Sequence, residues 1–209
     1  MGPVRRVECV EDVHGCSSQT GGMARFDDDD DRIGSEAALL IMVPCADPVV
    51  GRHRATYDSA AQVGVPAHMT IAYPFKPNLG DDDVDRLTSV FAGEPGFNLA
   101  FASTGWFGNQ VLFLRPDDPS PLTRLAYLVS LEYPQWPLYG DSFDTYVPHL
   151  TIGHDQPVDT LKTVEAEVCQ KLPITQPVTE VQYWSGPPMS SGAPGWHMVQ
   201  AFNLAPLSR

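Results

Sequence analysis

Apolar and polar positions fall into short blocks along this chain, and the blocks predict strands and helices in an order that repeats. Residues 37–44 read as a buried strand, and their apolar run is far shorter than the ~18 residues that cross a bilayer. Residues 48–62 predict a helix, with Pro48 near its start and Gly64 just past its end. A strand over 67–73 follows, interrupted by Pro74, and then a helix over 81–92 whose first turn is acidic, as the positive end of a helix dipole favours. Strands at 97–103 and 110–115 are joined through Gly105-Trp106-Phe107-Gly108-Asn109. The second half repeats the order: a helix over 120–131 capped by Ser120, a Pro- and aromatic-rich loop over 133–146, a strand over 149–153, a helix over 158–172, and strands near 178–184 and 196–204. Strands and helices that do not alternate strictly predict an α+β fold of antiparallel or mixed sheets with helices packed outside.

Within this duplicated order lies one duplicated motif. His68-Met69-Thr70-Ile71 and His149-Leu150-Thr151-Ile152 stand 81 positions apart, each just after a proline. On a strand the side chains alternate faces, so His68 and Thr70 point one way and Met69 and Ile71 the other, and likewise in the second copy. Each motif thus offers an imidazole and a hydroxyl to one surface while its apolar pair enters a core. Side by side, the motifs present two imidazoles, whose pKa near 6.5 suits proton transfer in both directions, and two hydroxyls that can hold phosphate oxygens. That set can open a cyclic phosphodiester with water and needs neither a metal nor a cofactor. Tyr73 and His154 each follow a motif histidine by five positions. Simple alternation puts them on the opposite face, unless Pro74 and Gly153 bend the strand ends; Tyr73 is a candidate for stacking on a base, and so is Trp106 in its Gly-flanked turn, with Phe107 beside it.

Charge narrows the partner. The chain carries 26 acidic against 13 basic residues, a net of -13. Residues 1–36 hold 9 acids and 4 bases, leaving 17 acids and 9 bases in the body, so the body itself is at -8. A long nucleic acid held by many Lys and Arg contacts is disfavoured, and a small phosphate-bearing ligand or a single RNA end fits better. Lys76, Arg115 and Arg124 are the candidate cationic contacts. The first 35 residues, with Asp27 to Asp31, read as a flexible acidic leader, and Met23 is an alternative start. Residues 36–209 then form one domain. The four cysteines show no CxxC spacing, which predicts reduced thiols and no zinc site, and the absence of a signal or spanning segment predicts a cytoplasmic monomer with no membrane partner.

The two tetrads, together with Arg54-Ala55-Thr56-Tyr57-Asp58 and the run from Gly64 to Phe75, resemble the 2H phosphoesterase superfamily, which includes 2'-5' RNA ligase-like proteins and cyclic phosphodiesterases. The resemblance implies two pseudo-symmetric lobes around a central cleft lined by the motifs, and action on 2',3'-cyclic or 2'-5' phosphodiester bonds without a cofactor. It implies His68 as the acid and His149 as the base, a pair whose roles exchange in the reverse reaction, with Thr70 and Thr151 on phosphate. Hydrolysis, reversible ligation of RNA ends and ligand binding without turnover all stay open at this level.

Overall fold

The computed structural model describes residues 35–138 and 146–207; the leader, the alternative start at Met23 and the centre of the loop before the second motif lie outside the described residues. Among the described residues nine strands and five α-helices follow in chain order: β1 (Glu36–Met42), α1 (Asp47–Tyr57), α2 (Ser59–Gln62), β2 (His68–Phe75), α3 (Asp81–Ala92), β3 (Phe97–Phe101), β4 (Ser103–Phe107), β5 (Val111–Arg115), α4 (Ser120–Glu132), β6 (Leu150–His154), α5 (Val158–Cys169), β7 (Ile174–Val178), β8 (Glu180–Gly186) and β9 (His197–Asn203). The strands form a four-stranded sheet in the order β2-β1-β8-β9, a pair β3-β7, and a three-stranded sheet β4-β5-β6. All the pairings between these strands are antiparallel. The fold is α+β, as the element order predicts.

The motif strands β2 and β6 each form the edge of a different sheet. The two strands contact one another. Met69 and Ile71 from one, and Leu150 and Ile152 from the other, are fully buried in a shared core with Leu39, Ile41, Leu112 and Leu114. Each such side chain contributes about 1.5–3 kcal/mol of transfer free energy, which anchors the motifs from behind. Behind β1 lies a smaller core of Ala38, Leu40, Val63, Val65, Trp184 and Trp196.

Several elements differ from the sequence reading, each for a local reason. The single helix expected over 48–62 breaks at Asp58, which is extended (φ -126°, ψ 117°) and whose carboxylate accepts from the Ala60 amide to start α2. Asp does this readily because its side chain replaces a backbone partner. Pro74 does not end β2, which runs on to Phe75; an edge strand tolerates a residue without an amide proton. Residues 103–107, read as strand end and connector, are β4. Gly105 sits opposite Phe113, and a Cβ there would stand 2.5 Å from the Phe113 ring, so this glycine marks a close approach rather than a turn. The strand β7 is absent from the sequence reading because Pro173 and Pro177 mask its pattern. Cys169 is a free thiol.

One irregularity occurs twice. In the β1–β2 ladder, Leu40 faces Thr70 and the next residue, Leu39, faces Ala72, so Ile71 is an extra residue. In the β5–β6 ladder, Phe113 faces Thr151 and Leu112 faces Gly153, so Ile152 is extra. Both motifs therefore carry a bulge at their fourth position, and a bulge resets the alternation of the strand beyond it.

Candidate functional site

The two motifs open onto one cleft of about 760 Å³, within the range of small-molecule sites. His68, Thr70, Tyr73, His149, Thr151 and His154 all line it. Simple alternation fails for Tyr73 and His154 because the paired bulges turn the fifth position after each histidine back to the cleft side. Each motif thus supplies three side chains to one surface.

Both motif imidazoles are held alike. The Nδ1 of His68 lies 2.8 Å from the Pro66 carbonyl, and that of His149 lies 2.8 Å from the Val147 carbonyl. A carbonyl only accepts, so Nδ1 carries the proton in both, and Nε2 of the neutral ring is left as the basic atom. The same contact links exposed His197 to the Gly195 carbonyl, so it belongs to the way these chains enter a strand. In the cleft its consequence is chemical: the tautomer is fixed.

Burial pushes the His68 pKa down to about 4, with the Arg54 guanidinium pushing the same way and the nearby His149 adding to it. Burial also lowers His149, against the opposing pull of the Val147 carbonyl and the Asp58 carboxylate. Both rings are therefore neutral in the free cleft at neutral pH. An anion that enters beside them favours their charged forms and reverses the trend.

Behind His68 stands a buried ion pair. Arg54 and Asp58 are 2% and 3% exposed, their charged groups are 2.7 Å apart, and Arg54 also donates to the Val65 carbonyl. Removing one member of such a pair leaves a buried charge and costs about 3–5 kcal/mol. Asp58 lines the cleft as well and reaches within 3.8 Å of His154 Nε2. That nitrogen accepts from the Ser59 amide at 3.2 Å, while Nδ1 donates to Asp155 at 2.8 Å. Among the described residues no group of three or more His, Cys, Asp and Glu side chains is placed to hold a metal ion.

Four other sequence candidates lie elsewhere. Trp106 does not line the cleft; its indole donates to Glu165 on α5 at 2.9 Å, where Thr104 donates too, and its ring packs on the core. Its neighbour Phe107 takes the cleft side instead, as alternation on β4 requires, with its ring 4.9 Å from and perpendicular to that of His149. Phe113 packs against Phe107, with centroids 4.4 Å apart, and its ring centroid lies 5.5 Å from that of the same imidazole. Lys76 pairs with Asp83, Arg124 with Glu94, and Arg115 donates to Ser103; none lines the cleft. Trp196, Met189 and Ser59 do line it, and no motif marks them in the sequence. Tyr146 ties the two motifs together, since its hydroxyl, three residues before His149, donates to the Thr70 carbonyl at 2.7 Å.

The family model described as the 2'-5' RNA ligase superfamily matches residues 44–186, more than half of the chain and both motifs. Among solved structures, the chain is similar to Escherichia coli LigT complexed with 3'-AMP, with a TM-score of 0.50 and 17% identity over 81% of this chain and 98% of that one. LigT complexed with NADP+ gives a TM-score of 0.50 and 18% identity, covering 82% and 98%. A protein described as a phosphoesterase gives 0.51 and 18%, covering 82% and 99%. At these identities the likeness is one of fold. No curated protein sequence matches the chain.

Proposed function

The chain belongs to the 2'-5' RNA ligase superfamily, and from that premise we propose that its cleft hydrolyses a 2',3'-cyclic phosphodiester on a ribose, with His68 and His149 as the acid–base pair. The observation that carries the reading is the convergence of two Nδ1-anchored imidazoles and two threonines on one cleft. His149, neutral and with Nε2 free of its proton, takes a proton from water as the water oxygen attacks phosphorus. The bond from phosphorus to one ribose oxygen breaks, and His68 gives that oxygen a proton from Nε2. The product is a ribose with one phosphomonoester and one free hydroxyl. Thr70 and Thr151 donate to the non-bridging oxygens, where charge builds up. His68 receives its proton as the phosphate arrives, because the ligand's negative charge offsets the burial that keeps the free ring neutral. No metal enters the scheme.

With a free ribose hydroxyl in place of water as the nucleophile, the same ring opening joins that hydroxyl to the phosphorus while the ribose oxygen leaves with its proton, so ligation of RNA ends uses the same residues. LigT in complex with 3'-AMP shows a mononucleotide bound to a protein of this fold, which supports a small nucleotide as the ligand here. Incubation of oligonucleotides ending in a 2',3'-cyclic phosphate with an acceptor bearing a free 5'-hydroxyl, followed by identification of the product end, separates hydrolysis from ligation. His68→Ala and His149→Ala should each lower kcat by about 10²–10⁴-fold. Near-normal turnover in either variant would remove the pair from the chemistry.

A further inference from the structure

The cleft holds a third histidine that the phosphodiester scheme does not use, and its surroundings differ from those of the other two. Where His68 and His149 rest on backbone carbonyls, Nδ1 of His154 lies 2.8 Å from the Asp155 carboxylate. A carboxylate only accepts, so the proton sits on Nδ1 and Nε2 carries the lone pair. That lone pair faces Ser59, whose hydroxyl oxygen is 3.1 Å away and whose amide nitrogen is 3.2 Å away. With the imidazole proton on the Asp155 side, the Ser59 hydroxyl is the donor in its contact with Nε2.

Each member is set in place by a different stretch of chain. Ser59 opens α2 directly after the break at Asp58, and His154 ends β6. Asp155 follows at φ 54°, a left-handed conformation that aspartate and asparagine tolerate best after glycine, and its amide donates to the Gln110 carbonyl at 3.0 Å. Ser59 is exposed, and it lines the cleft with His154 and Gln110. A carboxylate, an imidazole and a hydroxyl in this order, with these proton positions, form the arrangement of an activated serine, which is recognised by geometry and roles on unrelated folds. Asp58 adds to it, since one of its oxygens is 3.8 Å from Nε2 and favours the imidazolium that forms when Ser59 gives up its proton.

We propose that Ser59 is a nucleophile activated by His154, with Asp155 as the positioning residue, and that the cleft thereby hydrolyses small uncharged carboxylic esters as a second activity. Charge decides the substrate class. Asp58 and Asp155 flank the imidazole, and among the described lining residues there is no Lys or Arg, so an anion is repelled from Ser59 where a neutral acyl group is not. In the first step Ser59 Oγ bonds to the acyl carbon and its proton passes to His154 Nε2. The bond from that carbon to the alcohol oxygen then breaks, and the alcohol leaves with the Nε2 proton. Water attacks the acyl-serine in the same way, which releases the carboxylic acid and restores the Ser59 hydroxyl. The Gln110 carboxamide and the Thr151 hydroxyl, which also line the cleft, supply donors for the negative oxygen formed in each step.

The test treats the whole protein with p-nitrophenyl acetate and, separately, with a fluorophosphonate, an uncharged reagent for activated serines, and maps the labelled peptide. The label should fall on Ser59, and Ser59→Ala, at an exposed position that leaves the fold intact, should lose both label and ester turnover. His154→Gln keeps an acceptor for the hydroxyl but cannot take its proton, and should lower both by about 10²–10⁴-fold. Asp155→Asn frees the ring to carry its proton on Nε2, and should lower kcat by up to about 10⁴-fold with KM little changed. A label elsewhere or none, or ester turnover in Ser59→Ala equal to that of the wild type, would overturn the proposal. Turnover that survives Ser59→Ala and disappears in His149→Ala would give the esters to the motif pair and overturn it equally. The assay contains no phosphodiester, so its outcome is independent of the hydrolytic reading above.

Discussion

At the scale of the residue, His68 shows how burial and charge set the chemistry before any ligand arrives. Its ring is neutral because burial and Arg54 disfavour the imidazolium, which brings its pKa to about 4. Unfolded, the same ring titrates near 6.5, so as the pH falls below 6.5 the unfolded chain takes up a proton that the folded one refuses. The stability contributed by this group is complete above pH 6.5 and is lost progressively as the pH drops towards 4. His68→Gln should therefore lose less stability than the wild type between pH 7 and pH 5, by on the order of 1–2 kcal/mol in urea unfolding. Identical losses in the two proteins would show that the ring is solvated and titrates normally in the fold. The pairing of each histidine with its threonine was visible in the sequence because strand alternation is a local rule. The value of the pKa was not, since Arg54 and Asp58 reach the ring only through the turn that ends α1.

At the scale of the element, the close seating of α1 on β6 decides where Asp58 and Ser59 meet His154. Gly153 makes that seating possible: a Cβ there would lie 2.7 Å from the Tyr57 Cβ and 3.2 Å from Leu161. Gly153→Ala should push the end of α1 outward and destabilise the protein by about 1–3 kcal/mol, the usual cost of overpacking. Because the shift moves Asp58 and Ser59 from the cleft wall, kcat/KM should fall beyond what the unfolded fraction explains. A variant as stable and as active as the wild type would mean that the helix yields freely. Most elements were legible from periodicity and caps, as α3 and β1 show. β4 and β7 were hidden because glycine and proline signal turns locally, whereas here the partner strands override that signal. The placement of Tyr73 and His154 needed the ladder itself, since a bulge is a mismatch between two strands and neither strand alone records it. Trp106 and Phe107 illustrate the same limit: the sequence marked an aromatic pair, and only the direction of β4 decided which ring met the cleft.

At the scale of the whole molecule, an acidic chain with a net charge of -13 surrounds a cleft whose described lining has no fixed cation. A protein that grips a nucleic acid through 6–10 phosphate contacts loses about 10³–10⁵ in affinity between 50 and 200 mM salt. Here one local phosphate contact should leave the affinity for a nucleoside cyclic phosphate within about fivefold over the same range, as calorimetry at the two salt concentrations would read. A steep dependence would point to basic groups outside the described residues. The charge count foreshadowed this from the sequence, but the burial of Arg54 and the outward pairing of Lys76, Arg115 and Arg124 did not follow from it.

The twin bulges also divide each motif strand into two parts. Positions before the extra residue carry a histidine and a threonine to the cleft, and the fifth position after each histidine, 73 in one strand and 154 in the other, adds a phenol in one and an imidazole in the other. The two added side chains differ in chemistry and in partners, the phenol held by Glu36 and the imidazole by Ser59 and Asp155, so a redesign of what this cleft accepts can begin at these two positions without touching the motif histidines and threonines.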